Sequence, residues 1–458
     1  MRRIIAVALI LYSVSAQVFA QAQPDKPSWL GWLSRLPEHG IDVSTDHWLI
    51  LSQNPTNTQV EAIAREYVEY IDQGVLDRNL FQPGWKIQDR PILNLNRSDL
   101  PSLNAIESRI PQYVMLKQAM AQLKEWHQQA VNWFPDDLIL FEGDQHPLVN
   151  RLNKWLQDLG LADSLPENRF TQAHKEVLTE VQLEFDLESD GRMGALTRQA
   201  LLAVTNQRIR LLKANMERMR WLPRELPYPH IRVDIAGYRV GYVKAPLVVQ
   251  EHKAIIGTPN KQTPVFQDEI ESITVNPTWK VPHSIAAYSL LNKEKKEPGF
   301  FRREGFRTYR SWAANAAEVP LESVNWTSIT ARTFHFRLEQ EPGVLNRLGR
   351  FKLNLPNNYG VYLHGTHRPE LFEREARSFS SGCARVEGIG VLIQRIAREQ
   401  GLLGELNQRL AASDTQKIRL KNSIPVYFMY FTAWPDASGR VRYRDDIYQL
   451  DKALTSWF

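Results

Sequence analysis

A change of hydrophobic period near residue 230 constrains this chain more than any other feature. Upstream, apolar residues recur at helical spacing. Val60, Ile63, Ala64, Tyr67, Val68 and Ile71 share one face of a predicted helix, with Thr58 as its N-cap. A second helix is predicted from about Ser102 to Trp133, after a polar, proline-containing stretch from Gln82 to Arg97. Leu148, Leu152, Trp155 and Leu156 form another stripe, and Leu178, Val181, Leu183 and Phe185 mark a further helix. Ile209 to Trp221 reads as a connecting helix, ended by Pro223, Pro227 and Pro229. Downstream the period falls to two: Ile231, Val233 and Ile235 alternate with polar residues, and Gly237 makes a turn. Val240, Tyr242, Ile255 and the stretch Ile270 to Val275 continue as strands. A chain that is helical first and alternating later is α+β, and 458 residues exceed one core, so several domains are expected.

The first residues predict export. Arg2 and Arg3 precede an apolar run from Ile4 to Tyr12, and Val18-Phe19-Ala20 places small residues where a signal peptidase reads, so cleavage is expected after Ala20. No cysteine stands at that point for lipid attachment, and no later segment is apolar enough to span a bilayer. A soluble protein, periplasmic or outside the cell, is expected. Without residues 1–20 the chain has 54 basic and 51 acidic side chains, and no Lys/Arg block of the kind that grips phosphates. That balance argues against a nucleic-acid partner. Thirteen tryptophans suit aromatic-rimmed clefts, although most belong in cores.

Export makes the single cysteine conspicuous. Cys383 has no intramolecular disulfide partner, and a free thiol outside the cell oxidises, so its retention points to nucleophilic chemistry. It sits in Ser380-Ser381-Gly382-Cys383-Ala384-Arg385, nineteen residues after His364. Gly360 to His364 reads as a strand with Val361 and Leu363 toward the core, which puts Tyr362 and His364 side by side on the other face. The fourteen residues Thr366 to Phe379 form a loop. Ile389, Leu392, Ile393 and Ile396 have helical spacing, so Cys383 is placed near a helix N-terminus, where thiolate is favoured. His364 is the nearby proton acceptor. Backbone N–H groups of Gly382 and Cys383 are candidate oxyanion donors, Gly382 having no side chain to obstruct close approach. No Asp or Asn presents itself to orient the imidazole, which leaves a backbone carbonyl.

Tyr362 is either an oxyanion donor or a packing residue, and Arg385 either orders the loop or meets a substrate carboxylate. Ser381 is read as a loop-ordering hydroxyl rather than a second nucleophile. His364 and His367 lack a third ligand, so no metal and no cofactor are expected; His283 and His335 have no partner readable from sequence. The charged segment from Ser284 to about Arg332, with Lys293-Glu294-Lys295-Lys296-Glu297, interrupts the strands as a lid or a surface insertion.

Two resemblances extend this reading. Val181-Gln182, Phe185 and the turn Asp190-Gly191-Arg192-Met193-Gly194-Ala195-Leu196-Thr197 resemble the three-helix peptidoglycan-binding domain type 1 family, with Ala195 where a proline is usual. His364-Gly365, the loop and Ser380-Ser381-Gly382-Cys383-Ala384-Arg385 resemble the signature of the L,D-transpeptidases with a YkuD-type catalytic domain, with Ala384 in place of the usual Ile or Val. Val275 to Pro282, Pro342-Gly343, Asn346-Arg347-Leu348-Gly349 and Thr432-Ala433-Trp434 resemble the large, lid-containing Gram-negative members. The implied order is a signal peptide (1–20), a helical scaffold (21–137), a peptidoglycan-binding-like domain (138–205), a connecting helix and linker (206–230), and a β-rich catalytic domain (231–458) with a helical lid inserted at about 284–332. The resemblance implies acyl transfer on peptidoglycan stem peptides, with Cys383 as nucleophile and His364 as base. It leaves the acceptor open: a diaminopimelate amine, water (a carboxypeptidase or endopeptidase), or a lipoprotein lysine. A cell-wall scaffold with a decayed site and a generic cysteine protease are the other readings; the presence of both Cys383 and His364 argues against the first, and the wall-binding module against the second.

Overall fold

The computed structural model describes residues 29–88, 106–245, 247–436 and 438–458. The expected signal peptide and part of the polar stretch after Gln82 lie outside them. The chain forms two compact units: one of residues up to Leu226 together with Phe431–Phe458, the other Pro227–Tyr430. The last 28 residues therefore leave the expected catalytic domain. Thr432-Ala433-Trp434 belongs to the first unit, where Thr432 N–H donates to Asn215 Oδ1 (2.9 Å) and Asn215 Nδ2 to Thr432 Oγ1 (3.1 Å).

In the first unit, α1 (Asn57–Gln73) buries the predicted stripe. Its cap is Thr56, not Thr58: Thr56 and Gln59 exchange hydrogen bonds in a capping box that satisfies the free N–H groups of the first turn. Helix α2 (Pro111–Trp133) starts later than expected, with proline in its first turn, where its missing N–H is harmless. Helices α3 (Leu148–Asp158), α4 (Gln172–Glu184) and α5 (Ala195–Arg220) follow. The third helix of the 138–205 module and the connecting helix are thus one continuous helix, because no Pro or Gly breaks the run between Ala195 and Arg220.

The turn motif in this module is structural. Buried Gln182 donates to Asp190 Oδ1 (2.9 Å) and Thr197 Oγ1 (3.0 Å), and its Oε1 accepts from Gly191 N–H (2.7 Å). Thr197 Oγ1 donates to Arg192 O (2.7 Å). One amide thereby ties α4 to the turn and to the start of α5. Farther along α5, every residue from Leu212 to Arg220 is buried, so its charges must find partners inside. Lys213 pairs with Asp42, Arg220 with Glu217 (2.6 Å), and Arg218 with Asp451 of the C-terminal segment (2.6 Å).

The second unit is built on strands β1 (His230–Asp234), β2 (Arg239–Lys244), β3 (Leu247–Gly257) and β4 (Val265–Val275), as the alternation predicted. After β4 the chain leaves this sheet for β5 (Trp279–Lys280), β6 (Phe306–Tyr309), β7 (Glu318–Val319) and β8 (Arg337–Gln340). It returns as β9 (Phe351–Asn354), β10 (Leu363–His364), β11 (Ser378–Ser380), β12 (Ala384–Val386), α6 (Ile389–Glu399) and β13 (Gln416–Met429). The main sheet runs β4-β9-β10-β12-β3-β2-β1-β13, and β13 pairs back onto β4, so the path closes on itself.

The inserted segment has its own sheet, β5-β8-β6-β7, and its own aromatic core of Phe300, Phe301, Phe306, Trp326, Phe334 and Phe336. It is a mixed module rather than a helical one. Trp279 and Leu348, at its two ends, join this core, and Tyr362 packs against it. The segment thus reaches the strand that carries His364.

Candidate active site

Cys383, Tyr362, His364 and Arg385 come together on one sheet face. Strands β10 and β12 are parallel neighbours, pairing Leu363 with Ala384 and His364 with Arg385. Alternation then puts Tyr362, His364 and Arg385 on the same side, with Cys383 immediately before β12. Val361 and Leu363 are buried on the opposite side, as expected. The strand is shorter than predicted: Gly360 has φ +66°, and the chain turns there. Asn357 holds that turn, donating to Val361 O (2.7 Å) and accepting from Val361 N–H (3.1 Å).

Cys383 precedes a strand, not a helix. Helix α6 begins only at Ile389, because Ala384 and Val386 bury themselves in the sheet first. The expected help from a helix dipole is therefore missing, and burial pushes the thiol above its ordinary value. The backbone and hydroxyl of Tyr362, and the charges of Lys352 and Arg385, act in the opposite direction. In this state the thiol points to Gly360 O, 3.6 Å away.

The loop before Cys383 is ordered by Ser380 rather than Ser381. Buried Ser380 Oγ donates to Cys383 O (2.6 Å) and accepts from Gly382 N–H (3.1 Å), while Ser381 is exposed. Thr263 Oγ1 donates to Gly382 O (2.8 Å). Gly382 has φ +119°, a conformation for which glycine is suited. Its N–H is already engaged, which removes it as a ready oxyanion donor. The Cys383 N–H has no partner among the described residues.

His364 is buried, and its pKa is lowered to about 3, first by burial and then by Arg385 and Lys352. Backbone groups of Gly365 and Leu348 partly oppose that shift, although Nδ1 has no partner at hydrogen-bonding geometry. The imidazole is neutral near pH 7 and free to accept a proton. The approach of Leu348 explains the Asn346-Arg347-Leu348-Gly349 motif. Buried Asn346 donates to Pro277 O (2.8 Å) and Gln340 O (3.0 Å) and accepts from Leu348 N–H (2.8 Å), which fixes the loop. Gly349 has φ +66°, and a Cβ there would meet Thr366 N at 2.7 Å. The two chain segments touch closely enough to bring Leu348 O beside Gly365.

Lys352, which sequence reasoning missed, pairs with His364 across β9 and β10. Its ammonium lies 3.9 Å from the centroid of the Tyr362 ring, and the Tyr362 and His364 rings are 5.4 Å apart. Only its place opposite a candidate base in a neighbouring strand marks it, and that register is a tertiary fact. His367 is half-buried, with its pKa lowered to about 4 by burial and by Arg347, Arg385 and Arg368. His283 and His335 lie in the inserted segment, bonded to Phe334 O (2.8 Å) and Thr333 O (3.1 Å), away from these strands.

A thiol just before β12 and a neutral imidazole on β10 thus share one sheet face, with cations nearby. Residues 228–399, which hold this site, match the YkuD family model, the L,D-transpeptidase catalytic domain. The match is thus confined to the segment that carries His364 and Cys383. A Haemophilus influenzae protein named "Putative L,D-transpeptidase" is 30% identical over 244 residues, 53% of this chain and 48% of the relative. The chain thus spans about half the length of that curated relative. The crystal structure of an L,D-transpeptidase from Xylanimonas cellulosilytica covers 64% of this chain and 99% of its own at 13% identity, with a TM-score of 0.16, too low to establish a shared fold. Among the described residues no helix is long and apolar enough to cross a membrane.

Proposed function

We propose that the protein is an exported, periplasmic peptidoglycan L,D-transpeptidase that forms 3→3 cross-links through a thioester on Cys383. The observation that carries this reading is that Cys383, immediately before β12, and His364 on β10 share one sheet face inside the matched segment. His364 accepts the thiol proton as Sγ attacks the carbonyl of the third, L-centred residue of a tetrapeptide stem. The carbonyl oxygen takes the negative charge, and the Cys383 N–H, which has no partner among the described residues, receives it together with the Tyr362 hydroxyl. Collapse of this intermediate breaks the amide bond, and the departing D-alanine amine takes the proton from His364. The side-chain amine of a diaminopimelate on a second stem then attacks the thioester carbonyl. Its surplus proton passes through His364 to the departing sulfur, which restores the thiol.

The 138–205 module is proposed to hold the enzyme on glycan, and the inserted segment to cover bound stems as a lid. No cofactor or metal is invoked. Incubation with purified disaccharide-tetrapeptide tests the reaction: a dimer containing a 3→3 link is the expected product. Tripeptide alone would identify a carboxypeptidase, and no conversion would overturn the reading. Intact-mass analysis with a carbapenem tests the nucleophile. An adduct is expected on the wild type, and its persistence on Cys383→Ala would remove Cys383 from the mechanism.

A further inference from the structure

Lys352 stands out because its charge has no acidic counterpart among the described residues. Its neighbour across β10 is His364, and its ammonium rests on the face of Tyr362, the residue that lies beside Cys383. Strands β9 and β12 flank β10, so their backbones are about 9.5 Å apart, a gap that a lysine side chain leaning over the Tyr362 ring largely spans. Among the described residues Lys352 makes no ion pair with a carboxylate. The groups facing it are His364 from β10, Tyr362 just before β10, Cys383 just before β12, and Lys417 from β13, on the far side of Thr274 in β4. Of these, Cys383 is the group that becomes an anion in the proposed reaction. A half-buried ammonium normally requires a counter-charge. Here the candidate counter-charge exists only when the sulfur is ionised.

We propose that Lys352 is a positioning residue for the nucleophile: its ammonium, held against the Tyr362 ring, stabilises the Cys383 thiolate both before attack and when sulfur departs in the second step. This rests on the reading of Cys383 as the nucleophile. It also resolves a difficulty in the site. His364 is surrounded by burial, Lys352 and Arg385, all of which oppose an imidazolium, so a resting thiolate–imidazolium pair is disfavoured. Lys352 works on the other half of the pair by lowering the cost of the thiolate as the proton leaves. The same cation that makes His364 a weak holder of the proton makes Cys383 a better donor of it.

Cys383 is the sole cysteine, so alkylation by iodoacetamide followed by intact-mass analysis reports on one thiol and needs no substrate. The rate is measured from pH 6 to 10 for the wild type, Lys352→Met, Lys352→Gln and Lys352→Arg, each checked by circular dichroism and thermal melt. Lys352→Met and Lys352→Gln are expected to shift the profile up by about one pH unit, slowing alkylation near pH 7.5 about tenfold, while Lys352→Arg retains most of the wild-type rate. Profiles of folded Met or Gln variants that coincide with the wild type would overturn the proposal. An Arg variant shifted as far as Met and Gln would overturn it as well, since packing rather than charge would then be responsible. Because the assay does not require transpeptidation, a protein that makes no cross-links but shows the lysine-dependent profile would reject the proposed reaction and keep the role of Lys352.

Discussion

Both units of this protein bury charge, but they treat it differently. Along α5 of the first unit, Lys213, Glu217, Arg218 and Arg220 are each matched by an opposite charge, and Glu217 also accepts from Leu76 N–H (2.7 Å). On the site face of the second unit, Lys352 and Arg385 are desolvated with no carboxylate partner among the described residues. Buried charge that serves the fold is neutralised in place. Half-buried charge around the thiol has no carboxylate partner among the described residues, which disfavours the resting state and favours an anion formed during reaction. The contrast separates an ion-pair network from a site without reference to any motif.

The largest effects test the open side. Cys383→Ala is expected to abolish both alkylation and product formation, and His364→Ala to slow acyl-enzyme formation by about 10²–10⁴-fold; time-resolved mass spectrometry with a carbapenem measures both. The closed side comes next. Arg218→Met strands Asp451 and is expected to cost about 3–5 kcal/mol, read by urea denaturation of the first unit's transition. Arg218→Met with Asp451→Leu should recover much of that loss. The equivalent truncation at the site, Arg385→Met, has no partner to strand. It is expected to leave the melting temperature of the second unit unchanged or raised while activity falls, and a loss as large as that of Arg218→Met would erase the comparison.

A smaller effect is expected at the turn of the 138–205 module. Gln182→Ala frees Gly191 N–H and parts α4 from α5, at a cost of about 1–3 kcal/mol by denaturant titration. Acid acts on both units. His39 in the first and His364 in the second are buried neutral, each with its pKa lowered to about 3, and His230 is lowered to about 4. The unfolded chain takes up these protons below pH 6.5 and the folded one does not. Their contribution is therefore complete above about pH 6.5 and declines as the pH falls toward 3–4. Melts at pH 7.5, 6 and 4.5 should show that decline, and His39→Gln should flatten it for the first unit.

Much of the candidate site's geometry was legible because its parts lie close in sequence. His364 and Cys383 fall at the ends of one short loop, and strand alternation alone paired Tyr362 with His364. What failed depended on contacts between distant segments. Ala384 and Val386 join the sheet and displace the expected helix start. Ser380 rather than Ser381 orders the loop, because only its hydroxyl turns inward. The return of Phe431–Phe458 to the first unit is carried by Asp451 and Thr432, each more than 200 residues from its partner on α5.

By itself, then, the sequence determined the change from helical to alternating period, and the thiol and imidazole at fixed spacing. These follow from local patterning, since a side chain's face depends on its neighbours in the chain. Only the tertiary structure decided which charges meet. It set Lys352 beside His364 by strand register, brought Leu348 toward the imidazole through the contact of Gly349 with Gly365, and paired Arg218 with Asp451. Desolvation and Coulomb energy depend on distances through space, and these the order of residues alone does not specify.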